Sequence, residues 1–228
     1  MIRLVMLLSA MTVASGAVVG VTLDRAEDWS ANSEKTKIVR AGDRLLVKDA
    51  PFYVFSAKKF DVKPGMRYRV QAKFRNPASK KGTGAAFGVQ MFDGEGKNLS
   101  GTTSAEISET FTTLVRPVRK GDRTLRVADA LYWKSGIVTS GAQADGGDFP
   151  NRNVVAGVQA VKRLAADDWE VELLGGARAD VPAGTGVRLQ PGGPAYFFAQ
   201  DARPTKDGWC ACEGRFALEP SENTSLFY

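Results

Sequence analysis

The chain has 228 residues, 43% of them hydrophobic and 25% charged, so most of it can form an ordinary globular core of one or two domains. It contains no histidine, which excludes Ser-His-Asp and Cys-His catalysis, histidine general bases and every zinc site that needs imidazole. Its formal charge of +6 is mildly basic, with Lys and Arg dispersed rather than gathered on one motif; this favours an acidic partner such as an anionic polysaccharide and argues against nucleic acid.

Met1-Ile2-Arg3 is a short positive start, and Leu4 to Val13 is an apolar run broken only by Ser9 and Thr12. The small residues Ala14, Ser15, Gly16 and Ala17 come next, completing the three-part pattern of a secretory signal peptide over residues 1–17, with cleavage expected after Gly16 or Ala17. The run is shorter than the roughly 20 apolar residues of a membrane span. The alternative is an uncleaved N-terminal anchor, the one case in which a membrane would be a partner. The expected location is therefore outside the cytoplasm: secreted, periplasmic or at the cell surface.

Strand patterns dominate the rest of the chain. Arg67 to Arg75 alternates strictly, with Tyr68, Val70, Ala72 and Phe74 on one face and Arg67, Arg69, Gln71, Lys73 and Arg75 on the other. Such alternation predicts a half-buried strand, preceded by a Pro64-Gly65 turn. A second strand is expected over Ala85–Phe92, closed by the turn Asp93-Gly94-Glu95-Gly96, and a further β-like stretch over Phe111–Val118. Near Arg116 the texture changes to short strands, around Thr124–Val127, Gly136–Val138, Val154–Val161, Trp169–Leu173 and Gly184–Leu189. Gln190-Pro191-Gly192-Gly193-Pro194 marks a boundary, after which Ala195–Ala199 reads as an apolar strand. No long segment carries apolar residues at helical spacing, so the fold class expected is all-β, a sandwich or barrel. Cys210 and Cys212 lie two apart, at or beyond the long edge of disulfide geometry for neighbours on one strand, so free thiols or an intermolecular bridge are expected.

The run from Phe60 through Pro64-Gly65, Tyr68–Phe74 and Phe87–Phe92 to Asp93-Gly94-Glu95-Gly96 resembles jelly-roll carbohydrate-binding modules of the galactose-binding-like type. A late apolar strand with Tyr196 and Phe198, followed by Trp209, is also similar. Lys120–Asp129 and Pro182–Val187 look like a small β-barrel module common in bacterial and phage surface proteins. The resemblance implies a discontinuous jelly-roll β-sandwich over residues 18–115 and 191–228, interrupted by a small β-barrel-like insertion at 116–190. Such sandwiches usually close with a strand beyond the Trp209 segment, whereas this chain stops at Leu226-Phe227-Tyr228; the expectation is either a C-terminally incomplete fragment of a longer chain or an end completed by a neighbour.

Three groups of residues could carry chemistry. Arg69, Gln71 and Lys73, joined by Gln90 from the next strand, present planar polar and cationic groups suited to vicinal hydroxyls or a carboxylate, although alternation alone also predicts a solvated sheet face. Trp29, flanked by polar residues, is the tryptophan best placed to stack on a sugar; Trp133, Trp169 and Trp209 are weaker candidates, Trp169 reading as core. In the loop 145–153, Asp145 and Asp148 with Asn151 and Asn153 could supply oxygen ligands to a structural calcium, the plainer reading being a turn-rich solvated loop. No other cofactor is expected. Asp201, Asp207 and Glu213 are acidic residues near the C-terminus, but sequence singles out no pair for glycoside hydrolysis. The function expected is a non-catalytic carbohydrate-binding or surface-attachment module. The alternatives are a jelly-roll glycoside hydrolase or polysaccharide lyase, and a structural component of an envelope or virion.

Overall fold

The computed structural model describes residues 7–14, 17–23, 25–31, 34–35, 37–42, 44–48, 54–57, 60–63, 65–74, 89, 92–96, 103–107, 109–191, 208–218 and 226–227. Among these the protein is all-β, with a single 3-10 turn at Ala26–Asp28 and no helix long and apolar enough to cross a membrane. The strands in chain order are β1 (Leu7–Ala14), β2 (Ala17–Leu23), β3 (Trp29–Ala31), β4 (Lys37–Ala41), β5 (Arg44–Lys48), β6 (Val54–Ser56), β7 (Arg67–Phe74), β8 (Phe92–Asp93) and β9 (Thr103–Ala105). They continue with β10 (Thr112–Thr113), β11 (Thr124–Val127), β12 (Ile137–Ser140), β13 (Val154–Ala165), β14 (Asp168–Leu174), β15 (Gly186–Gln190), β16 (Cys210–Leu218) and β17 (Leu226–Phe227).

A five-stranded antiparallel sheet runs in the order β2-β1-β7-β16-β9. At its centre β7 obeys the alternation of its sequence: Val70 and Ala72 are buried, while Arg67 and Lys73 are exposed. The turn before it is closed by the Met66 amide donating to Lys63 O at 3.2 Å, with Gly65 at φ +76, a conformation that only glycine takes without strain. Tyr68 stacks on Phe216 of β16, ring centroids 5.2 Å apart, and its hydroxyl accepts from the Lys63 amide at 2.7 Å. Aromatic stacking and a paired phenol together fix the entry of β7.

Leu7–Ala14, which overlaps the apolar run Leu4–Val13 of the expected leader, is strand β1, paired with Tyr68–Lys73 of β7 on one side and with β2 on the other. Of the expected strand over Ala85–Phe92 only Val89 and Phe92 lie among the described residues, Phe92 in β8, and the expected strand over Ala195–Ala199 lies outside them. The expected stretch over Phe111–Val118 shrinks to the two-residue β10 plus bridges at Leu114 and Val118.

A six-stranded antiparallel sheet, β10-β15-β12-β13-β14-β11, spans Thr112 to Gln190. Its end strands meet through the single bridge Leu114–Val127, flanked by Val115 N to Arg126 O at 2.9 Å and Ala128 N to Thr113 O at 3.0 Å. The sheet therefore rolls onto itself without a continuous ladder closing it. Inside, Val127, Val138, Val171, Val187 and Leu189 are all 0% exposed. Each such side chain stabilises the roll by about 1.5–3 kcal/mol relative to solvent exposure. Trp133 is buried in this core with its indole N–H donating to Thr110 O at 2.9 Å, so its polar handle is satisfied.

The two sheets meet where β9 ends. Glu106 donates its amide to Arg215 O of β16 at 3.0 Å, and the next residue, Ile107, donates to Leu189 O of β15 at 2.9 Å. Two consecutive amides thus tie one sheet to the other. The chain leaves the five-stranded sheet after β9, builds the six-stranded roll, and returns as β16, which pairs with both β9 and β7.

Candidate functional site

Cross-strand partners in an antiparallel ladder share a face, as do alternate residues along one strand. The register Gln71–Glu213 and Arg69–Arg215 therefore places Arg67, Arg69, Gln71 and Lys73 of β7 beside Glu213 and Arg215 of β16. Gln71 Nε2 donates to Glu213 Oε2 at 2.7 Å. Arg69 Nη1 lies 3.9 Å and Arg215 Nη2 3.6 Å from Glu213 Oε1. The carboxylate takes one hydrogen bond, from Gln71, and two longer ion pairs, from Arg69 and Arg215, while remaining partly open to solvent. The face is exposed at Arg67 and Lys73, half-buried at Arg69 and Gln71, and covered where Ala217 and Ser104, both 0% exposed, pair at β9.

Arg215 also looks the other way. Its Nε lies 3.5 Å from Glu106 Oε1, and its Nη1 donates to Ala144 O at 2.8 Å, in the loop that covers β15. Burial pushes the Glu106 carboxyl above the ordinary carboxylate range, against the pull of Arg215 and Arg188 and with help from the nearby Glu213 and Asp148 charges.

Under that loop lies a buried ion pair. Arg188 sits between Val187 and Leu189 on β15, where simple alternation would turn it to solvent; instead residues 141–151 fold over it. Arg188 Nη1 donates to Asp148 Oδ1 at 2.9 Å and Nη2 to Oδ2 at 2.5 Å, a fork on a carboxylate. The guanidinium lies 3.8 Å from the centroid of the Phe149 ring, a cation–π contact. Asp148 also accepts from the Gln143 amide and from Asn151 Nδ2. Burial works to raise its carboxyl, but the hydrogen bonds from Arg188, Gln143 and Asn151 outweigh it and hold Asp148 below its usual range.

The structure brings Arg69, Gln71 and Lys73 onto one face, and Gln90 lies outside the described residues. Trp29 is on β3, half-buried, and its indole N–H goes to Leu23 O at 3.3 Å rather than to the β7 face. Asp145 accepts the Gly147 amide at 2.8 Å, and the oxygens of Asp148 are occupied by protein donors. No group of three or more His, Cys, Asp or Glu able to hold a metal gathers among the described residues. Trp169 is partly buried against the roll core with the Arg163 guanidinium 5.5 Å from its ring centroid. Asp201 and Asp207 lie outside the described residues.

Glu106, Arg188 and Arg215 were not among the sequence candidates, and Glu213 appeared there only as one of three acidic residues. The alternation Glu213-Gly214-Arg215-Phe216 carries the signal of a β16 strand with a charged face. Nothing local to Glu106 or Arg188 does so, because their environment is made by residues distant in sequence.

Compared with protein-family models, with curated proteins and with solved structures, the chain finds no match in any of the three.

Proposed function

We propose that this chain is an exported, non-catalytic module that binds an extended acidic polysaccharide along the polar face of β7 and β16. The observation that carries the reading is the row Arg67, Arg69, Gln71 and Lys73, pinned at its middle by the Gln71–Glu213 hydrogen bond. A strand advances about 3.3 Å per residue, so the exposed cations Arg67 and Lys73 stand roughly 20 Å apart along β7. That is a span for a chain carrying repeated charges rather than for a small ion. Between them, Gln71 and Glu213 offer an amide and a carboxylate side by side, donors and acceptors of the kind that vicinal hydroxyls require. Arg69 and Arg215 supply forked cations for a carboxylate or sulfate. Among the described residues of this face, the cations Arg67, Arg69, Lys73 and Arg215 outnumber the carboxylates Glu213 and Glu106, which gives the face its positive sign.

The N-terminal pattern of residues 1–17 supports export; its cleavage would leave β7, β16 and β9 paired, and this antiparallel arrangement is compatible with one layer of a jelly-roll sandwich. Affinity electrophoresis in gels containing a polyuronate, a sulfated dextran or a neutral glucan tests the reading. Retardation is expected in the two acidic gels, and it should be lost in the Arg67→Ala/Lys73→Ala double variant. Migration unaffected by all three polymers, or retarded equally by the neutral one, sinks it.

A further inference from the structure

One guanidinium reaches three partners at the junction of the sheets. Arg215 faces Glu213 on the open face, Glu106 at the crossing between the sheets, and the Ala144 carbonyl of the loop over β15, at 3.6, 3.5 and 2.8 Å respectively. Its backbone carbonyl accepts the Glu106 amide, so the two residues are directly opposed across the ladder and cannot drift apart without breaking the sheet. Glu106 therefore has a fixed electrostatic line, through Arg215, to the residues proposed to bind glycan.

We propose that binding of an acidic glycan at the β7–β16 face is proton-linked, with Glu106 taking up the proton and Arg215 transmitting its effect. The inference rests on the glycan-binding reading. The charges acting on Glu106 are Arg215 and Glu213 from β16, Arg188 from β15 and Asp148 from the loop over it, and Arg69 from β7 is paired in turn with Glu213. Arg188 and Asp148 neutralise each other. With Glu106 ionised, Arg69 and Arg215 are balanced by Glu213 and Glu106. A proton on Glu106 leaves the group one positive charge richer and releases Arg215 from one of its two carboxylates. An anion arriving at the face favours that state, and by reciprocity that state favours the anion. The side chain of Glu106 is 13% exposed, and burial shifts it toward the neutral form, so the exchange falls above the ordinary glutamate range of about 4.3.

The test has one arm without ligand and one with it. In the first, the Arg215 Nε–H resonance is monitored by NMR against pH in the wild type and in Glu106→Gln. A titration with its midpoint above the usual carboxylate range is expected in the wild type and none in the variant. In the second, binding of sulfated dextran, whose charge does not titrate, is measured across the same pH range. Affinity is expected to rise several-fold as pH falls through that midpoint, and at most about tenfold for each unit by which the bound polymer raises it. Glu106→Gln should bind at the tighter, acid-form affinity throughout. If Glu106→Gln fails to fold, Arg215→Lys, which keeps the cation and removes the fork, is expected to flatten the pH slope instead. A wild-type Arg215 resonance that does not move, or a pH slope that persists in Glu106→Gln, overturns the proton link while leaving glycan binding standing. A titrating Arg215 with no binding at any pH overturns the glycan reading and the linked binding with it.

Discussion

Arg188 and Asp148 form a forked ion pair at 2.9 and 2.5 Å with side chains only 1% and 6% exposed, roofed by the Phe149 ring. Such a pair adds little net stability relative to a well-packed apolar substitute, but removing one partner strands the other charge in the interior. Asp148→Ala is therefore expected to destabilise the protein by about 3–5 kcal/mol, and Arg188→Met/Asp148→Leu by clearly less than the sum of the single changes. Urea unfolding of the three variants checks this.

The same pair sets an acid limit. The Asp148 carboxyl is depressed in the folded protein, so its contribution is complete above the unfolded value of about 3.9 and disappears as pH falls through its lower folded value. Glu106 has the opposite sign: its carboxyl is raised, so the fold gains stability from it as pH falls through its folded value toward about 4.3. Urea midpoints measured against pH should fall less steeply in Asp148→Asn below pH of about 3.9 than in the wild type. Over the window above about 4.3, Glu106→Gln should lose the rise that the wild type shows on acidification.

Gly186 begins β15 directly against the Ala142 backbone. A Cβ there would overlap the Ala142 carbonyl oxygen and lie 3.1 Å from the Phe111 ring. Backbone cannot move aside as a flexible side chain can, so Gly186→Ala is expected to cost about 1–3 kcal/mol. The urea midpoint should fall with the slope of the transition unchanged.

Cleavage after Gly16 or Ala17 would remove β1, the partner of Tyr68–Lys73. Hydrogen exchange on the chain with and without residues 1–16 is expected to show the β7 amides losing protection when β1 is absent, while the amides of the six-stranded roll keep theirs. Equal protection of β7 in both forms would mean that another strand takes the place of β1.

Local pattern made part of this protein readable before its structure. The alternation of residues 67–75 places Val70 and Ala72 inside and Arg67 and Lys73 outside, because a strand with one buried face allows only one register. Pro64-Gly65 marks the turn, since Gly65 must take a positive φ. The same logic fails at Arg188, which alternates outward from the roll core yet is buried by a loop some forty residues earlier in the chain. It fails also at Glu106, whose carboxyl is raised first by burial and then by the Glu213 and Asp148 charges, against the pull of Arg215 and Arg188, all of them distant in sequence. Asp145 and Asp148 read locally as oxygen ligands in a turn-rich loop; in the structure Asp145 caps a turn, and Asp148 answers an arginine that no local spacing reveals.

A row of exposed cations on β7 that binds a polyanion must lose affinity as salt rises, because exposed charge–charge attraction is screened in proportion to the charges engaged. The most direct measurement is the affinity for sulfated dextran as a function of salt, in the wild type and in Arg67→Ala/Lys73→Ala. The side chains changed are exposed and should alter stability by no more than about 0.5 kcal/mol, so any loss of binding reports on the face itself. A steep fall in wild-type affinity with salt is expected, and in the double variant both weaker binding and a shallower dependence. Equal affinity and equal salt slope in the two proteins would contradict polyanion binding at this face.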